Sequence, residues 1–198
     1  MVMNIKKKIG VVILAAGSSS RLGRPKQLLM MEGRSLIERV CVEVLSLDTA
    51  AVVVVTGAYG EEVKAEIENL PVQVVFNAEW EEGMASSIRL GIEVLSSVQV
   101  DAAIILVCDQ VKLSSSLLVQ LIDAYLSGSC KMAYCKYGQQ IGVPALFDKA
   151  IFGGLLSLRG ERGAKSIIQQ HLAEAREILF PGGEADIDRP SDLGLLDE

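Results

Sequence analysis

Three short, unbroken runs of aliphatic and β-branched residues, Ile9–Leu14, Ala51–Thr56 and Ala102–Cys108, are separated by stretches of helical periodicity. A run without polar alternation is what a strand needs when helices cover both of its faces. Between the runs, Arg34–Leu47 places Leu36, Ile37, Val40, Val44 and Leu47 on one helical face, and Gly83–Leu95 does the same with Ile88, Ile92 and Leu95. Glu61–Glu68 reads as a short helix, and Pro71 introduces a strand over Val72–Phe76. Ser114–Ser116 is placed to cap a helix over Leu117–Leu126. Strands over Met132–Lys136 and Val143–Phe147 follow, then helices over Lys149–Ser157 and Ala164–His171. A strand over Arg176–Phe180, a short one over Glu184–Ile187 and a last helix from Pro190 complete the chain. This rhythm predicts an α/β fold, a three-layer αβα sandwich around a mostly parallel sheet. The 198 residues show no repeat or linker and read as a single domain, 1–198.

Composition removes several functions. The net charge is −6, and no basic stripe extends beyond Lys6–Lys8, so a general nucleic-acid binder is not expected. Lys6–Lys8 followed by Ile9–Ala16 imitates a secretory signal. The apolar part is short, however, and Arg21, Arg24 and Lys26 follow without a cleavage site, so a first strand is expected instead. No other segment is long and apolar enough to span a membrane. Cys41, Cys108, Cys130 and Cys135 form no CxxC pair and read as reduced, packed thiols of a cytoplasmic protein.

In parallel sheets ligands bind beyond the carboxyl ends of the strands. Three polar segments fall there: Gly17–Lys26, Gly57–Gly60 and Asp109–Gln110. The first strand runs into Leu14-Ala-Ala-Gly-Ser-Ser-Ser-Arg-Leu-Gly-Arg-Pro-Lys26. Gly17 and Gly23 permit tight turns there, loop N–H groups can converge on phosphate oxygens, and Arg21 and Lys26 supply cations. The loop is neither a Walker A sequence nor GxGxxG, since five residues part the glycines and Arg24-Pro25 precedes the lysine. Asp109 directly follows a buried strand, where a carboxylate either binds a divalent ion beside phosphates or caps the next turn. Asp186 and Asp188 alternate before Arg189-Pro190 and either share a cation or open a helix. Asn77-Ala-Glu-Trp80 and Gly83-Met-Ala-Ser-Ser-Ile88 form a last polar node, with Ser86 and Ser87 in a helix's first turn. His171, the one histidine, reads as a surface residue, and no Ser–His–Asp or Cys–His arrangement is present.

Taken together, the loop extended to Gln27-Leu-Leu29, Asn77…Trp80…Gly83-Met84…Ser87-Ile88, Cys108-Asp-Gln110, Gly142-Val-Pro144…Leu146-Phe147, Arg159–Lys165 and Asp186-Ile-Asp-Arg-Pro190 resemble the MobA-like nucleotidyltransferase family, in particular the molybdenum cofactor cytidylyltransferases. The resemblance implies a Rossmann-like fold that moves a nucleoside monophosphate from a triphosphate. It implies nucleotide contacts from Leu14, Ala15, Ala16, Gly17, Asn77, Gly83 and Ser87, with Arg21 and Lys26 on the phosphates. Catalysis would fall to Lys26, Arg21 and Asp109, and Mg²⁺, with Mn²⁺ as an alternative, to Asp109 and Asp188. The first half, 1–110, would take the nucleotide; the second, 111–198, with Gly142–Phe147 and Arg159–Lys165, would take a pterin acceptor such as molybdopterin. Leu-Ala-Ala-Gly looks like the cytidylyl branch, whereas guanylyl relatives usually read Leu-Ala-Gly-Gly. Val111 stands where the family commonly has proline, Arg189 where it has threonine and Glu161 where it has aspartate.

The activity expected is thus transfer of CMP from CTP to the phosphate of molybdopterin, serving a molybdoenzyme client. Guanylyl transfer from GTP, transfer to a sugar phosphate, and non-catalytic carriage of the molybdenum cofactor are the rival readings.

Overall fold

The structure is a computed structural model that describes residues 7–196; Lys6 of the lysine run lies outside them. In chain order the strands and helices are β1 (Ile9–Ala15), β2 (Met30–Met31), β3 (Arg34–Ser35), α1 (Leu36–Leu45), β4 (Ala51–Thr56), α2 (Gly60–Glu66), β5 (Gln73–Phe76), α3 (Met84–Ser97), β6 (Ala102–Val107), α4 (Ser115–Leu126), β7 (Met132–Tyr137), β8 (Gln140–Asp148), α5 (Phe152–Leu156), α6 (Lys165–Gln170) and β9 (Ala175–Leu179). Seven strands form one sheet in the order β5-β4-β1-β6-β8-β7-β9. Four of its six pairings are parallel, and β8 runs antiparallel to both β6 and β7.

Alternation along β1 builds the layers. Val11, Ile13 and Ala15 pack on one face with Ile37, Val40 and Val44 of α1 and Leu117, Leu118 and Leu121 of α4. Val12 and Leu14 pack on the other with Ile88, Ile92 and Leu95 of α3, Leu155 of α5 and Ile167 of α6. The expected three-layer α/β sandwich is therefore present, because strand period two sends successive side chains into opposite helix layers. No helix among the described residues is long and apolar enough to cross a membrane.

Five local expectations are corrected. The helix expected from Arg34 starts at Leu36: Glu32 and Gly33 adopt positive φ (52° and 81°) and turn the chain into the β2–β3 ribbon. Ser35 then caps α1 by accepting from the Glu38 N–H at 3.2 Å. At α4 the seryl caps are not used; the Ser115 N–H donates to the Glu43 carboxylate from α1. The expected helix over 149–157 divides into a 3₁₀ turn, Lys149–Ile151, and α5. The short strand expected over 184–187 reduces to a single antiparallel bridge, Gln110 with Asp186. From Pro190 the chain forms a 3₁₀ helix, Pro190–Leu196, in place of an α-helix.

The chain leaves β1 toward β4 and β5 on one side and returns to β6 on the other. The switch point that a doubly wound sheet uses for ligands thus lies at the carboxyl ends of β1 and β6.

Candidate active site

A cavity of about 480 Å³ opens there. Its lining includes Leu14, Ala15, Ala16 and Gly17 from the end of β1, Arg21 and Lys26 from the loop, Gly83 and Ser87 at the start of α3, Asp109 after β6, and Asp188. Ten of the eleven residues singled out from the sequence therefore share one cavity. The exception is Asn77, which is 4% exposed. Its Nδ2 donates to the hydroxyls of Ser86 and Ser87 at 2.8 and 3.0 Å, and its Oδ1 accepts from the Glu79 N–H. Asn77 thus stands behind Ser87 and orients it.

The loop 16–26 is held from two sides. Gly57 passes so close that an added Cβ would lie 2.6 Å from the Ala16 carbonyl oxygen, which accepts from the Ala58 N–H. Segment 57–60 therefore shapes the loop from outside the cavity lining. Left-handed backbone falls on Ser19 (φ 52°) and Gly23 (φ 76°), so Gly17 is not the turning residue it was expected to be. An added Cβ at Gly17 meets nothing within 4 Å, so no packing contact requires the glycine. Beneath the loop Leu22, Leu29, Leu36, Val111 and Ile187 form a separate apolar cluster that joins it to the carboxyl-terminal segment. Val111 belongs here because its N–H donates to the Ala185 carbonyl, a bond that proline in its place could not make.

Lys26 is the electrostatic centre. Its Nζ contacts Asp109 Oδ2 closely and donates to Asp188 Oδ1 at 2.9 Å. Arg21, largely exposed, reaches Asp188 Oδ2 at 3.1 Å. Burial alone would make Lys26 less basic; the charges and hydrogen bonds of Asp109 and Asp188 overcome it and hold the ammonium protonated well above its ordinary range. The Lys26 hydrogen bond keeps Asp188 below the usual carboxylate range. Burial, then the negative charges of Asp109 and Asp188, push Asp186 upward.

Asp186 is the member that sequence reasoning noticed by its alternation with Asp188 but did not assign to the metal set. One carboxylate oxygen from each of Asp109, Asp186 and Asp188 lies within 4.8 Å of the others. Asp109 Oδ1 is moreover buried without a hydrogen-bond partner. An anionic oxygen left so is costly, and a hard divalent cation is the partner that suits it. The donor set therefore fits a metal beside the lysine.

Glu161, from the segment Arg159–Lys165 expected on the acceptor side, also lines the cavity, as do Trp80 and Met84, for which no role was expected. Glu161 arrives because the 158–163 segment is stitched to α3. Arg89 donates to Glu82 at 2.7 Å and to the Leu158 carbonyl at 2.9 Å, and Glu82 accepts from the Gly160 N–H at 3.1 Å. The Arg89 hydrogen bond, the Gly160 N–H and the Arg89 charge hold Glu82 down to about 2. Gly83, at φ 117°, makes the seam tight: an added Cβ would lie 2.7 Å from the Gly160 backbone. Residues 142–147 lie within β8 outside the cavity lining. His171 is partly exposed and sits 3.9 Å from Glu174, far in sequence from every lining residue but Glu161 and Asp188.

Residues 11–175 match the family described as MobA-like NTP transferase domain. Nicotine blue oxidoreductase of Paenarthrobacter nicotinovorans is 31% identical over 166 residues, 80% of each chain. The bifunctional protein GlmU of Streptomyces griseus is 35% identical over 117 residues, 57% of this chain; the match spans 24% of that relative's length. Rv0371c of Mycobacterium tuberculosis superposes with a TM-score of 0.80 at 26% identity, covering 96% of this chain and 97% of that one. Its complex with manganese superposes with a TM-score of 0.77 at 23% identity, covering 96% and 98%.

Proposed function

Because the chain belongs to the MobA-like NTP transferase family, we propose that it transfers CMP from CTP to the phosphate of a molybdopterin-type acceptor, releasing pyrophosphate. The observation that carries the reading is Lys26 set between Asp109 and Asp188 on the wall of the cavity that the loop after β1 and the start of α3 also line. Such a site has cations for a triphosphate and carboxylates for a divalent ion within one side chain's reach. Phosphoryl chemistry needs little more than positioning and charge compensation, so no protein nucleophile is required.

Leu14, Ala15, Ala16, Gly83 and Ser87 take the nucleoside, Ser87 being oriented from behind by Asn77, and Gly17 leaves room for the phosphates. Lys26 and Arg21 neutralise the phosphate oxygens and the charge that develops on the leaving pyrophosphate. Asp109 and Asp188, with Asp186, hold Mg²⁺, or Mn²⁺ in its place, and the ion supplies further charge neutralisation on the nucleotide. Glu161, from the half 111–198, faces the acceptor. Cytosine over guanine rests on Ala15-Ala16, where guanylyl relatives usually carry Ala-Gly. A cytoplasmic location and a molybdoenzyme client belong to the same reading.

The test is pyrophosphate release with molybdopterin and each of CTP, GTP and UTP in turn. CTP turnover alone supports the proposal; GTP turnover makes the protein a guanylyltransferase, and transfer only to sugar phosphates moves it to that class. Tight cofactor binding without pyrophosphate would make it a carrier. Asp109→Asn is expected to lower turnover by about 10³-fold or more while the protein stays folded; full activity in that variant would sink the carboxylate assignment.

The likeness to nicotine blue oxidoreductase, 31% identity over 80% of both chains, favours a second reading as an oxidoreductase. Bleaching of a quinonoid dye with NADH or NADPH, unaffected by Asp109→Asn, would select it. A redox site gives the Lys26–carboxylate cluster no task, and for that reason it ranks second.

A further inference from the structure

Gln27 follows Lys26 in a 3₁₀ turn, Lys26–Leu28, and is 1% exposed. Its Nε2 donates to two carbonyls of the loop, Ala15 O at 3.0 Å and Gly17 O at 2.8 Å. An amide nitrogen has two protons to give, and both are spent here. Ser19 completes the bracket: its hydroxyl accepts from the Lys26 N–H at 3.1 Å and lies 3.5 Å from Gln27 Oε1.

The peptide unit is planar and trans, so the N–H of each residue points opposite to the carbonyl before it. With the carbonyls of Ala15 and Gly17 drawn inward to Gln27, the N–H groups of Ala16 and Ser18 are turned outward. Both residues line the cavity. The intervening Ala16 carbonyl is fixed separately by the Ala58 N–H. Three successive peptide planes are thus set by bonds made behind the loop.

We infer that Gln27 is a positioning residue that aims the Ala16 and Ser18 amides at the bound nucleotide, an inference that rests on the nucleotide reading above. It never touches the ligand. It sets the donor direction before the ligand arrives, so the loop needs no reorientation on binding, which is the origin of affinity gained by preorganisation. Loss of its two N–H donors frees the Ala15 and Gly17 carbonyls to turn and takes the outward donors with them. The expected signature is a change in KM rather than kcat, since the loop's grip is shared by the ground and transition states.

The experiment compares wild type with Gln27→Met, which keeps length and loses both donors, and Gln27→Asn, which keeps the donors on a shorter stem. Binding of CTP with Mg²⁺, GTP with Mg²⁺ and inorganic tripolyphosphate is measured by calorimetry, and the wild-type amides are followed by ¹H–¹⁵N correlation spectra. The Ala16 and Ser18 amides are expected to shift on saturation with the bound nucleotide. Gln27→Met is expected to bind it about tenfold or more weaker, with kcat at saturation nearly unchanged and Gln27→Asn between the two. A folded Gln27→Met that binds like wild type overturns the inference, as do Ala16 and Ser18 amides that stay put while the nucleotide binds. A Gln27→Met protein that does not fold leaves those wild-type amides to decide it. Wild type that binds none of the three ligands removes the nucleotide reading, and this one with it.

Discussion

Replacing Gly17 by alanine separates what the ligand needs from what the fold needs. The backbone there is not left-handed, and a Cβ would meet nothing within 4 Å. Alanine is therefore expected to leave stability unchanged or raise it by about 0.4–1 kcal/mol, through a less flexible unfolded chain. Nucleotide affinity, in contrast, is expected to fall by about tenfold, since the added methyl stands on the cavity wall. Thermal unfolding and calorimetric titration of one variant read both; a parallel loss of stability and affinity would contradict the assignment. Asp109, Lys26 and Arg21 were legible as a charged set because each follows a strand end or a glycine loop. Asn77 was legible only as polar: nothing in Asn77-Ala-Glu-Trp80 says that its amide turns back onto Ser86 and Ser87. Gln27 was visible within Lys-Gln-Leu-Leu yet carried no signal, because a buried glutamine reveals its task only through the carbonyls it reaches.

Among the elements, the seam between α3 and residues 158–163 makes the sharpest prediction. Gly83 sits at φ 117° with the Gly160 backbone 2.7 Å from any added Cβ. Gly83→Ala is expected to destabilise by about 1–3 kcal/mol and to break the Ala85 N–H to Gly160 carbonyl bond. Hydrogen exchange at the Ala85 amide reads this directly; unchanged protection there would show that the seam does not depend on the glycine. The strands and long helices were readable from the sequence because continuous apolar runs and 3.6-residue periodicity report burial, which the sandwich honours. The direction of β8 was not, since antiparallel insertion between β6 and β7 depends on pairing partners far along the chain. The β2–β3 ribbon escaped for a different reason. Its turn rests on Glu32 adopting positive φ beside Gly33, a choice made by tertiary packing over local preference.

At the scale of the whole molecule, the thiols report how tightly the helix layer of α1 and α4 closes on the sheet. All four cysteines are free, and burial pushes Cys41, Cys108 and Cys135 up to about 12. The unfolded chain ionises them near the ordinary value of 9.0. These folded-state values are raised, so their contribution to stability is complete below 9.0 and declines as pH climbs from there toward 12. At pH 8 a thiol reagent is expected to modify Cys130, the partly exposed one, and to reach the other three only on global unfolding. Rapid modification of two or more thiols in the native protein would contradict this. The ion pairs of Lys26 lead to a consequence of another kind. With its ammonium lodged between Asp109 and Asp188, the protein brings its own counter-ion to the carboxylates. Exhaustive treatment with a chelator is therefore expected to silence catalysis and to lower the unfolding temperature only by the ion's own binding contribution, leaving the protein folded. Such a protein can be made, stored and carried through metal starvation as a folded reserve, ready when the ion returns.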